Sequence, residues 1–135
     1  LRTAIAVALS LLAGPALSQG APVNTTLGTF TTTNSGQPIM PPAGPVQVTG
    51  LTVEMPAGFV LPSHKHPHTR YGYVLSGRIR VDNQDTGGAV TYGPGDLIME
   101  ARDQWHSGTV LGDEPVKLLV IDQTPPGEGN VVRKP

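Results

Sequence analysis

The chain has 135 residues and a formal net charge of -1, with Lys+Arg 9 against Asp+Glu 10, so it is one domain in size and carries no basic footprint for nucleic acid. With 17 Gly, 14 Pro and no Cys, the sequence is too turn-rich for a helical bundle, and disulfides, thiolate metal sites and cysteine nucleophiles are excluded. In chain order, the apolar run from Ala4 to Ala13 is preceded by one charge, Arg2, and is short for a bilayer span. Small residues follow at Ala16 and Ser18, which reads as a signal peptide over residues 1–20, cleaved after Ser18 or after Gly20. Residues 21–135 are then the mature domain, expected to be secreted or periplasmic and free of the membrane after cleavage.

Leu27 to Thr33 is rich in β-branched residues and predicts a first strand. Turn chemistry at Asn34-Ser35-Gly36 and Met40 to Pro45 separates it from a strand over Val46 to Met55. Further strands are predicted over Phe59 to His66, Tyr71 to Leu75, Arg78 to Val81, Ala89 to Tyr92, Leu97 to Ala101 and Val116 to Asp122, with a short Val131-Val132. About nine short strands without a convincing helix imply an all-β sandwich or closed barrel.

Three of the four histidines, His64, His66 and His68, fall in one cluster, and His106 stands apart. Side chains two apart on a strand share a face, so His64 and His66 can reach one small ion. His106 is the remaining histidine able to complete the set from a neighbouring strand. Pro67 disturbs the strand before His68, which is therefore read as a rim residue. Gln104 shares the parity of His106 and is either a group that orients bound water or an ordinary polar corner residue. Tyr71 and Tyr73 flank Gly72 on opposite faces, so one of them can enter the cavity; Tyr73 is carried as a candidate catalytic residue beside Gln104. The single Trp105 is expected in the core, with a stacking surface as the alternative.

The spacing Gly58-x5-His64-x-His66-x3-Arg70-x6-Gly77, followed by Gly95 and His106, resembles the two motifs of the cupin family. The resemblance implies a single-domain double-stranded β-helix, or jelly-roll-like barrel, with a metal on His64, His66 and His106. Arg70 stands where the first motif has a glutamate, and Ala101, Asp103 and Val110 replace the Pro, Gly and Asn of the second. A three-histidine set lacking a carboxylate suits copper, with zinc, iron and manganese as alternatives. Arg70 is expected to leave the cavity and pair with Glu100 or Asp103.

Export, the three-histidine set and the short inter-motif segment together make the chain similar to the small secreted mono-copper cupins described as cellulose oxidative cleaving enzymes. That similarity implies a homodimeric oxidoreductase cutting cellulose or a related polysaccharide with a peroxide or oxygen co-substrate. The dimer is expected to pair through Leu27 to Thr33 or Val46 to Met55. The alternatives are a cupin dioxygenase or oxidase acting on a small phenolic or diketone, and a non-enzymatic periplasmic metal or ligand carrier.

Overall fold

The computed structural model describes residues 20–135; the leader expected over residues 1–20 lies, apart from Gly20, outside them. Nine strands form: β1 (Gln47–Met55), β2 (Val60–Lys65), β3 (Arg70–Ser76), β4 (Arg78–Asn83), β5 (Ala89–Tyr92), β6 (Leu97–Met99), β7 (His106–Leu111), β8 (Val116–Thr124) and β9 (Val132–Arg133). They make two antiparallel sheets, ordered β1-β8-β3-β6 and β5-β4-β7-β2-β9, and no helix occurs among the described residues. The all-β expectation therefore holds.

The period-two pattern explains how each strand is placed. Along β8, Val116, Leu118, Val120, Asp122 and Thr124 are buried while Lys117, Leu119 and Ile121 face outward. The inward row of β3 carries Gly72 and Val74, and that of β7 carries His106, Gly108 and Val110. One end of the interior is packed by Met55, Val74, Ile79, Ile98, Val110, Val116 and Leu118. At the other end the same inward rows turn polar. Arg70 sits opposite Asp122, and His106 lies in register with both His64 and Asn83. The turn from β3 to β4 depends on Gly77, whose φ of 75° and contact with the Pro115 carbonyl leave no room for a Cβ.

Three expectations change. Leu27 to Thr33 forms no strand, because its β-branched residues find no partner beyond a single bridge from Thr32 to Pro38. Tyr73 falls between the inward Gly72 and Val74, opposite the outward Leu119, so it lies on the outer face of its sheet and away from the cavity. Trp105 is half-buried at the surface, with the ammonium groups of Lys65 and Lys134 5.3 and 5.7 Å from its ring, and does not plug the core.

Candidate metal centre

The polar end brings His64, His66, Glu100 and His106 together, with one donor atom from each within 4.8 Å of the others. All four are buried or nearly so; His66 is 0% exposed and the Glu100 side chain 13%. His64 and His66 come from β2 and the residue after it, and His106 opens β7. Glu100 follows β6, held by its N–H donating to the Arg70 carbonyl at 3.0 Å.

The imidazole orientations are set by main-chain carbonyls. Nδ1 of His64 lies 2.9 Å from Pro62 O, Nδ1 of His66 2.6 Å from Asn130 O, and Nδ1 of His106 2.9 Å from Gln104 O. A carbonyl only accepts, so each Nδ1 carries the proton and donates it. In the neutral rings Nε2 is then a lone pair aimed inward. Nε2 of His66 and of His106 each lie 3.1 Å from Glu100 Oε2, yet both are buried without a hydrogen bond. Donors that converge without satisfying one another fit a cation at their common focus.

Charge follows the same geometry. Burial pushes His64 down to about 4, so it stays neutral at physiological pH. Burial also acts to lower His106, but the Glu100 carboxylate outweighs it and raises this histidine above its ordinary value. Burial alone would raise Glu100; the imidazoles of His106 and His66 hold it well below the usual carboxylate range.

Several residues that sequence reasoning missed support the set. Glu100 itself was read only as a partner for Arg70, so the expectation of a site without a carboxylate is corrected. Arg70 pairs with Asp122 instead, Nε to Oδ1 at 2.8 Å and Nη2 to Oδ2 at 2.7 Å. Asn130 Nδ2 donates to Asp122 Oδ1 at 2.6 Å, which ties this pair to the residue holding His66. Gln37 clamps Arg102, which lies between Glu100 and His106, by accepting from its N–H and donating to its carbonyl, each at 2.9 Å. Gln104 is turned by the bend at Asp103, whose φ is 54°, and accepts from Asn83 Nδ2 at 2.8 Å. Its amide is thus engaged in the corner. His68 contacts Glu128 at 3.0 Å, outside the cluster, as expected for a rim residue.

Two cavities meet at this end. An inner one of about 50 Å³ is bordered by His64, Arg70, Glu100 and His106 together with apolar core residues. An outer one of about 130 Å³ is lined by Asn34, Asn83, Thr86 and Val90. Val81 and His106 border both.

Residues 51–122 match the family described as cupin domain. Among curated proteins no sequence matches. Of the solved structures, the DMSP lyase DddQ from Ruegeria pomeroyi DSS-3 is 27% identical, with a TM-score of 0.54 over 64% of this chain and 42% of that one. An oxalate decarboxylase is also 27% identical, with a TM-score of 0.54 over 64% of this chain and 23% of that one. The polyketide cyclase RemF from Streptomyces resistomycificus shares the fold at 22% identity and a TM-score of 0.52, over 64% and 59% of the two chains. The matched region spans less than two thirds of each of these three proteins.

Proposed function

This chain belongs to the cupin domain family, and on that premise we propose that it is a metal-dependent enzyme converting a small, oxygen-rich molecule inside its barrel. The carrying observation is the convergence of three carbonyl-fixed imidazoles and the Glu100 carboxylate on one buried point. Three nitrogens with one hard oxygen suit iron(II) or manganese(II). Such an ion supplies Lewis acidity and, where it changes oxidation state, a route for electrons. The chain's own part is to hold the rings in one tautomer, keep Glu100 ionised, and surround the site with apolar walls that limit water. The similarity to a DMSP lyase and an oxalate decarboxylase, both enzymes of small molecules by name, supports this reading.

Copper-dependent cleavage of cellulose by an exported homodimer is the second reading. It is supported by the His64-x-His66 and His106 spacing, the apolar leader and the free edge of β1. The carboxylate beside the imidazoles and the small cavity of about 50 Å³ favour the first.

Metal analysis of protein produced with iron, manganese, copper and zinc offered together distinguishes them. Iron or manganese at one ion per chain is expected, with most of it lost in Glu100→Gln. Copper retained equally in wild type and Glu100→Gln, together with reductant-dependent release of oxidised cello-oligosaccharides, would establish the second reading instead. Stoichiometric metal without turnover on small carboxylates, diketones or phenols would indicate a carrier.

A further inference from the structure

One charged group in the interior is not used by the metal set. Arg70 opens β3 on its inward side and borders the inner cavity with His64, Glu100 and His106. Its guanidinium presents one edge, Nε and Nη2, to Asp122. Nη1 makes no hydrogen bond among the described residues and is not one of the buried unpartnered polar atoms, so it stays open to a ligand or solvent. An arginine fork has five N–H donors, and the Asp122 pair occupies two of them.

Charge counting points the same way. Arg70 and Asp122 cancel, and Glu100 offsets half the charge of a divalent ion. The loaded cavity is left with one positive charge among apolar walls such as Val53, Leu61, Ile79 and Leu118. Uncompensated charge in such surroundings is costly, so a single anion is the matching occupant. Size narrows it further. A cavity of about 50 Å³ holds only a few water-sized groups, a water needing roughly 10–15 Å³.

Resting on the metal-centre reading, we infer that the inner cavity takes the carboxylate of a small organic acid, recognised between the metal centre and the free Nη1 edge of Arg70. Longer acids extend past His106 into the outer cavity, whose Asn34, Asn83 and Thr86 offer polar contacts. Arg70 thereby sets a preference for an acid over a neutral molecule of the same shape.

The test is calorimetric titration of the manganese-loaded full chain with acetate and glycolate, against acetamide and glycolamide. The wild type is expected to bind the acids roughly 10- to 100-fold more tightly than the amides, the range for a charged hydrogen-bonded contact. Arg70→Lys keeps a charge for Asp122 but has no second donor edge, and should lose most of that preference at unchanged metal content. The double variant R70Q/D122N removes the pair as a unit, avoiding an unpaired buried carboxylate, and should lose it as well when titrated at saturating manganese. Acids and amides binding alike to the wild type, or a preference that survives in both variants, overturns the inference while the metal reading stands. A wild type that takes up no ion overturns both.

Discussion

The two ends of the barrel interior are built from the same inward rows of the same strands, yet they are held together differently. At the end around Val74, Ile98 and Val116, side chains are fixed only by packing, each buried to within 1% exposure. At the other end each of the three clustered imidazoles is tied to a main-chain carbonyl, and the Arg70–Asp122–Asn130 chain braces one of those carbonyls. Packing tolerates small shifts at the cost of stability, whereas a ligand set depends on direction. The apolar end therefore carries the fold, and the polar end spends part of that stability on geometry.

Substitutions can separate the two roles. Ile98→Ala empties volume in the packed end and should cost about 2–5 kcal/mol in chemical denaturation. Metal affinity measured on the folded variant should be unchanged; a parallel loss would show that the ends are one cooperative unit. Asn130→Ala removes the brace on Asp122 while keeping the carbonyl that orients His66. It should weaken metal binding by roughly 10- to 100-fold, read by chelator competition, with a smaller change in the denaturation midpoint. A midpoint shift as large as that of Ile98→Ala would assign Asn130 to the fold instead.

The smallest effect is the pH dependence of the metal-free protein, because two histidines oppose each other. His64 is lowered from 6.5 to about 4, so its contribution is present above 6.5 and is lost as pH falls towards 4. His106 is raised from 6.5, so its contribution is present below 6.5 and is lost as pH rises through its higher value. Denaturation midpoints of metal-free protein across pH 4–8 should accordingly peak near 6.5. With the ion bound, the decline above that point should vanish, since metal replaces the proton on His106. A midpoint that keeps rising through neutrality without metal would mean that His106 is not protonated against Glu100.

Much of this was legible in the chain. The alternation of Val116 to Asp122 gave a strand, and the two-residue spacing of His64 and His66 placed both rings on one side. Glu100 was also within reach: it has the parity of the apolar Ile98 two residues earlier, and an acid at an inward position asks for a cation. Reading the carboxylate only at the Arg70 position hid it. Tyr73 was assigned against its own parity, between two inward neighbours. Gln104 precedes the start of β7, so strand parity does not govern it, and its contact with Asn83 fits the polar-corner alternative. The roles of Gln37, Asp122 and Asn130 depend on contacts with residues 65, 52 and 64 positions away, which no local pattern encodes.

The carbonyl that orients His66 belongs to Asn130, and Asn130 also receives the N–H of His68 through its side chain. Just beyond it, β9 lies along β2, and the Lys134 N–H reaches the Ser63 carbonyl. During synthesis, then, a ribosome-bound chain can display His64, His66 and His106 before the residue that aims His66 has emerged. Chain order thus leaves the aim of His66 unset until Asn130 has been made and β9 has docked along β2.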